Sequence, residues 1–121
     1  MSIIAKILVA LIALEHVYFL VLEMFLWEQP RTRKAFGMSV EQAGHSKVLA
    51  GNQGLYNGFL VAGLVWSLLA PAAYAKELAI FFLACVLVAG VYGGFTANKR
   101  IWLLQALPAA IALAAVLLIG F

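Results

Sequence analysis

Four long apolar stretches, separated by polar segments, run along the chain. They cover residues 3–27, 48–69, 78–95 and 101–121. A helix needs roughly 20 residues to cross a hydrocarbon core of about 30 Å, so four crossings use nearly the whole length. The pattern predicts an all-α fold, a four-transmembrane-helix bundle, in which residues 1–121 form a single integral membrane domain.

The polar segments mark where these spans end. Pro30 follows the first span and Pro71 stops the second, because proline biases the preceding residue away from helix. The longest polar segment, residues 28–47, is predicted to be a cytoplasmic loop with a short capped turn at residues 39–42. The first span is too long and too polar for a signal peptide, so we expect it to be retained. Pro108 is a candidate for a kink in the fourth span.

Composition and charge agree with a membrane protein. The chain is 66% hydrophobic and 11% charged, too little polar surface for a soluble globule of this size. Most basic residues gather in two segments on the same side of a four-span bundle: Arg31, Arg33, Lys34, Lys47, Lys99 and Arg100. The positive-inside rule then predicts a multi-pass protein of the bacterial inner membrane with both termini outside. The basic balance indicates topology, and no nucleic-acid partner is predicted.

Ionisable residues stand in the middle of the first apolar span. Glu15 and His16 are adjacent there. A charged side chain at that depth of the bilayer costs a few kcal/mol or more, so it is rarely found there without a partner or a functional role. His16 and Glu23 are seven residues apart, so they share a face at about 10 Å separation. Glu15 and His16 are the candidate catalytic pair for proton transfer, although contacts that merely fix the packing would look the same. No metal site is predicted, because the remaining histidine, His45, lies in the loop.

The second span begins with amides. Asn52, Gln53, Tyr56 and Asn57 fill one arc of about 140° on a helical wheel. The opposite side carries a strip of small residues that lets helices approach closely: Gly51, Gly54, Gly58 and Ala62. Amides in hydrocarbon need partners, so we expect the polar arc to face the ionisable residues of the first span or a wet cleft. Interhelical hydrogen bonding and a ligand cleft both remain open. Gly90, Gly94 and Gln105, in the last two spans, are predicted to serve packing.

Together these residues predict a polar cleft on the cytoplasmic side, between the first two spans, that binds a small anionic or zwitterionic ligand. Its predicted lining is Glu15, His16, Glu23, Asn52, Gln53, Tyr56 and Asn57, and its predicted rim is Arg31, Arg33, Lys34, Lys47 and Arg100. The same rim suits anionic headgroups of membrane lipid, a predicted partner. The alternative is a structural or lipid-binding membrane protein, and the sequence leaves open whether the protein is an enzyme, a carrier or a structural element.

Three strings in the first two spans and their connection have a specific resemblance. ALEHVYFLVLEMFLW, PRTRKAFG and KVLAGNQGLYNGFLVAGL resemble the DUF1304 family of small integral membrane proteins, and the match extends over essentially the whole chain. The resemblance implies a four-helix membrane protein and names no activity.

The chain is also similar to the MAPEG superfamily of glutathione-handling membrane proteins, in length, span count, the RTRKAF run and an early Asn in the second span. This weaker likeness implies a homo-oligomer, typically a trimer, with glutathione as cofactor and thiol transfer as an alternative activity. In that superfamily the second helix begins with an acidic-basic pair followed by Asn and Glu. Here Lys47 and Asn52 are present without a nearby Glu, and Arg100 is a loose counterpart of the catalytic arginine.

Overall fold

The computed structural model describes residues 2–121, with only the backbone at Ser2. In that part of the chain every regular element is a helix and there is no strand, which confirms the all-α prediction. The helices are α1 (Ser2–Met24), α2 (Pro30–Phe36), α3 (Val40–Leu69), α4 (Ala75–Thr96) and α5 (Leu107–Leu118), and a π-helical segment (Trp102–Ala106) precedes α5.

Two helices, α1 over Ile3–Met24 and α4 over Ala75–Thr96, are long and apolar enough to cross a membrane. Only 28% of the residues in each apolar window are buried, unlike a core helix of a soluble protein. A shorter apolar helix covers Trp102–Leu118. The helix α3 is longer than either, but its early amides make it less apolar. These helices indicate membrane association, and a bundle with four crossings stays a prediction.

The segment 28–47, expected to be a loop, contains α2 and the first two turns of α3. Pro30 occupies the first turn of α2, where its fixed φ suits a helix and its missing N–H costs nothing. Gly37 ends α2 in the left-handed region at φ 65°. Its successor Met38 donates its N–H to the Arg33 carbonyl at 2.8 Å, which satisfies a carbonyl at the helix end.

A reciprocal pair of hydrogen bonds starts α3. The Ser39 hydroxyl accepts from the Gln42 N–H at 3.1 Å, and the Gln42 side-chain oxygen accepts from the Ser39 N–H at 2.8 Å. This capping box satisfies two donors that a helix start would otherwise leave free. The capped turn predicted at residues 39–42 is therefore confirmed, and it begins a helix of 30 residues.

Contacts divide the chain into two compact units. We call Leu14–Val61 the central unit, and residues 2–13 with Ala62–Phe121 the flanking unit. The single-domain prediction stays a prediction.

In the flanking unit, α4 packs against the π-helical segment and α5. Gly94 leaves space for the Trp102 indole, and a Cβ on Gly90 would stand 2.8 Å from the Ala106 nitrogen. The Gln105 amide donates to the Val86 carbonyl at 3.0 Å. The packing roles predicted for Gly90, Gly94 and Gln105 are thus confirmed.

Pro108 lies directly behind the π-helical segment. A proline cannot donate to the carbonyl four residues earlier, here that of Leu104, so the preceding turn loses one α-helical bond. In the structure that turn is wider, and the Leu107 N–H bonds to the Trp102 carbonyl five residues back. The structure thus has a π-helical turn before Pro108, and the kink expected there stays a prediction.

Candidate functional site

A buried carboxylate joins α1 to α3 inside the central unit. Glu23, in the last turn of α1, is 3% exposed. The Asn57 amide nitrogen donates to its Oε1 at 2.5 Å, and the Gln53 amide nitrogen donates to its Oε2. We call Glu23, Gln53 and Asn57 the carboxylate clamp. Two of the four side chains in the predicted arc thus meet one of the three ionisable residues of the first apolar stretch, and the ligand-binding role of these residues stays a prediction.

Glycines stand beside the clamp, and this corrects one prediction. A Cβ on Gly54 would stand 3.1 Å from the Glu23 Cβ and 2.6 Å from the Met24 Cγ, and one on Gly58 would stand 3.0 Å from a Leu20 methyl. Both glycines therefore face α1, whereas the sequence placed the small-residue strip on the side opposite the amides. On a helical wheel with 100° per residue, the amide side and the glycine side of α3 share a boundary, and α1 lies over that boundary. It therefore contacts Gln53 and Asn57 on one side and Gly54 and Gly58 on the other.

The far edge of the amide arc turns away from α1. Asn52 is exposed, and its amide donates to the Val48 carbonyl of its own helix at 2.9 Å. Tyr56 is 64% exposed and packs edge-on against Phe59, with the ring centroids 5.6 Å apart. Half of the predicted arc thus serves the contact with α1, and Asn52 and Tyr56 do not join it.

Glu15 and His16 are neighbours in sequence but lie on different faces of α1. His16 is fully buried, and its ring packs edge-on against that of Phe19 with the centroids 5.2 Å apart. Seven residues separate His16 from Glu23, so these two share a face. Glu15 shares the face of Leu22 by the same spacing. Its Oε1 is buried and accepts no hydrogen bond from the residues that the structure describes.

The predicted basic rim separates into residues with and without partners. Arg33 donates through Nε to the Glu28 carbonyl at 3.1 Å, and Lys47 pairs with the Glu28 carboxylate at 3.1 Å. Arg31 and Lys34, both exposed on α2, have no ion-pair partner among residues 2–121. Arg100 is exposed in the flanking unit, so its place at the same rim stays a prediction.

An open groove lies between the second half of α1 and α2. Its volume is about 580 Å³. One wall, which we call the α1 wall, consists of Tyr18 and Leu22 of α1 and Leu26 just past its end, and the other wall is Gln29, Pro30, Arg31, Thr32 and Ala35. We call this the α1–α2 groove. Of its lining only Arg31 was a predicted site residue. The four-residue spacing of Tyr18, Leu22 and Leu26 is visible in the sequence. These side chains line a groove only because α2 is helical and lies opposite them.

Trp27 fastens α2 to the first turns of α3. Its indole nitrogen donates to the Ser46 hydroxyl at 3.0 Å, and its ring packs against that of Phe36 with the centroids 4.9 Å apart. The Ser46 hydroxyl in turn donates to the Gln42 carbonyl at 2.7 Å. Sequence reasoning missed these contacts, because it treated the whole segment as a loop.

The features described so far define an all-α protein with two helices suited to a membrane, a buried carboxylate bonded by amides, and a groove with an arginine in its wall. A family model for DUF1304, described as a protein of unknown function, matches residues 10–117, and the chain belongs to that family. It is 36% identical over 107 residues to the uncharacterized protein YpaA of Lactococcus lactis subsp. lactis (strain IL1403), covering 87% of this chain and 89% of that protein. No solved structure matches the chain. The resemblance to DUF1304 is confirmed, and the MAPEG likeness stays a prediction.

Proposed function

We propose that this is an integral membrane protein that binds a small anionic or zwitterionic ligand in the α1–α2 groove. The observation that carries the proposal is Arg31, a groove-lining residue without an ion-pair partner among the described residues. A guanidinium presents several N–H donors in a planar fork that matches a carboxylate or phosphate. Gln29 and Thr32 lie in the same wall and add neutral polar groups beside it.

The groove is a better candidate for the ligand site than the region around Glu23, which belongs to the cleft predicted from the sequence. In the carboxylate clamp, both oxygens of Glu23 already accept hydrogen bonds from Gln53 and Asn57. An anionic ligand there would have to displace Glu23 or approach its charge. The groove instead presents the positive charge of Arg31 beside open space.

The proposed setting is a bacterial inner membrane crossed four times, with both termini outside and α2 on the cytoplasmic side. Two apolar helices and the basic residues of α2 support this arrangement. We further propose that the protein forms a homo-oligomer. The exposed apolar side chains of α3, among them Leu55 and Phe59, leave room for a neighbouring subunit or for lipid.

A structural role is the second candidate, because the polar groups of the carboxylate clamp hydrogen-bond to one another and thereby join α1 to α3. Thiol transfer with glutathione is a further alternative. It has less support, since Asn52 bonds its own helix and is exposed.

Thermal stability of the purified full chain in detergent tests the proposal, with glycerol 3-phosphate, phosphatidylglycerol, phosphatidylcholine and glutathione added separately. A ligand that binds only the folded protein raises the midpoint temperature. We expect a phosphate-bearing probe to stabilise the wild type and Lys34→Ala, and to stabilise Arg31→Ala much less. Lys34 is the matched control, because it lies on the same helix and does not line the groove. No shift with any probe, or an equal shift in Arg31→Ala, would overturn the proposal.

A further inference from the structure

The α1 wall of the groove continues an apolar stripe along the helix. Leu14, Tyr18 and Leu22 follow one another at intervals of four residues in α1, so they lie on one side of the helix with an offset of about 40° per step, and Leu26 follows just past the end of the helix. The helical part of the stripe, from Leu14 to Leu22, is about 12 Å long at about 1.5 Å per residue. Leu14 and Tyr18 are more than half exposed, so the stripe opens onto the outer surface of a helix that is apolar enough to cross a membrane.

The polar groups of the groove stand at one end of this stripe. Gln29, Arg31 and Thr32 all follow Leu26 in the chain, whereas the apolar residues Tyr18 and Leu22 lie in α1. The groove therefore has an apolar length and a cationic end. A compact water-soluble anion would meet Arg31 but leave the stripe uncovered.

The charge near this end is positive. The nearest carboxylate in sequence, Glu28, is paired with Lys47, whereas Arg31, the cation of the groove lining, has no ion-pair partner among the described residues. An anionic headgroup therefore meets an uncompensated cation there, and such a site favours anionic lipids.

We propose that the ligand of the α1–α2 groove is an anionic phospholipid from the surrounding bilayer, with its phosphate at Arg31 and an acyl chain along Tyr18, Leu22 and Leu26. This inference rests on the proposed function and names its ligand class. The acyl chain covers apolar surface that otherwise lines an open groove, and the guanidinium bonds the phosphate.

Native mass spectrometry of the delipidated full chain in detergent distinguishes the contribution of the lipid headgroup to binding from that of the acyl chains. The probes are phosphatidylglycerol, phosphatidylcholine and water-soluble glycerol 3-phosphate. We expect phosphatidylglycerol to bind most tightly, phosphatidylcholine less tightly and glycerol 3-phosphate weakest. Arg31→Gln should weaken phosphatidylglycerol binding about tenfold, the loss of one charge-assisted bond, while Lys34→Gln should change it far less.

A second pair of variants tests the apolar length. Leu26→Ser removes part of the groove wall, and Leu55→Ser removes a leucine of similar exposure that lies outside the groove. We expect Leu26→Ser to weaken phosphatidylglycerol binding about threefold or more, and Leu55→Ser to leave it unchanged. Midpoint temperatures of all four variants, measured without lipid, show whether each is folded.

The outcomes distinguish this inference from the proposed function. If glycerol 3-phosphate binds as tightly as phosphatidylglycerol and Leu26→Ser has no effect, the lipid assignment is overturned while ligand binding at Arg31 stands. If lipid binds without regard to Arg31, the placement of the phosphate is overturned and so is the inference. If no probe binds the wild type, both the inference and the proposed function fall.

Discussion

The two units of the molecule join their helices by different means. In the central unit, α1 meets α3 through an ionisable side chain held by two amides, with Gly54 beside it. In the flanking unit, α4 meets the π-helical segment through glycines that receive Trp102 and Ala106, and the polar bonds there end on backbone carbonyls.

The difference teaches which substitutions each contact tolerates. A backbone carbonyl is present whatever the side chain, so the flanking contact depends mainly on shape. The clamp depends on the chemical identity of three side chains, because removing any one leaves a polar group of another without its hydrogen-bond partner. Both contacts need small residues where the helix axes come close.

The largest effect should come from filling the space at Gly94. In Gly94→Leu the new side chain would overlap the Trp102 indole, so α4 and the π-helical segment must move apart. We expect a loss of about 1–3 kcal/mol or more in the free energy of unfolding, seen as a lower midpoint temperature in detergent. Gly51→Leu is the control, because a Cβ at Gly51 meets nothing within 4 Å. Equal midpoints for the two variants would show that shape does not govern the flanking contact.

A slightly smaller effect should follow from removing the clamp carboxylate. Glu23→Leu leaves the amides of Gln53 and Asn57 without their acceptor, and we expect a loss of about 1–3 kcal/mol. Glu15→Leu on the same helix removes an oxygen that is buried without a hydrogen-bond partner among the described residues, so stability should stay level or rise.

A double-mutant cycle makes the clamp prediction sharper. Glu23→Leu combined with Asn57→Leu should give a coupling of about 0.6 kcal/mol and at most about 1.7 kcal/mol, the average and the maximum for hydrogen bonds between membrane helices. A coupling near zero would mean that the two side chains do not stabilise each other.

The third effect concerns the attachment of α2. Trp27→Phe keeps an aromatic ring against Phe36 but loses the bond to Ser46, and we expect a cost of about 1 kcal/mol. Trypsin should then cut faster in the basic stretch of α2, because this short helix is released more often. Trp66→Phe, at an exposed tryptophan in the flanking unit, should leave the cleavage rate unchanged. Equal rates in both variants would contradict the role of Trp27.

The smallest effect should come from the exposed ion pair. Lys47→Ala removes the partner of Glu28, and both side chains are about half exposed or more, at 63% and 48%. We expect a change of less than about 1 kcal/mol in the free energy of unfolding, and it should vanish at high salt. Lys34→Ala removes the same charge without an ion pair, so a difference between the two at low salt measures the pair alone.

Much of the fold could be predicted from the sequence because its apolar runs are long. The ends of α1 and α4 lie within three residues of the predicted spans. The helix α2 could not be predicted in this way. It has seven residues and no apolar period, and it depends on Pro30, Gly37 and the contact with Trp27, which only the folded chain brings together.

The candidate site was predictable in part for a geometric reason. A helical wheel gives the angles between the side chains of one helix, but it does not say over which angle the neighbouring helix lies. The meeting of Glu23 with Gln53 and Asn57 was therefore expected, while the outward direction of Asn52 and Tyr56 was not. The groove was missed because one of its walls is α2.

In the proposed arrangement with four crossings, α3 crosses the membrane, and its length then determines how the protein responds to bilayer thickness. Thirty residues extend about 45 Å, some 15 Å more than a hydrocarbon layer of about 30 Å. The first ten residues, which include Glu41, Gln42, His45 and Lys47, suit the headgroup region. Lipids with longer acyl chains would draw the carboxylate clamp deeper into a medium of low dielectric constant. Hydrophobic mismatch would thereby tune how firmly α1 and α3 hold each other.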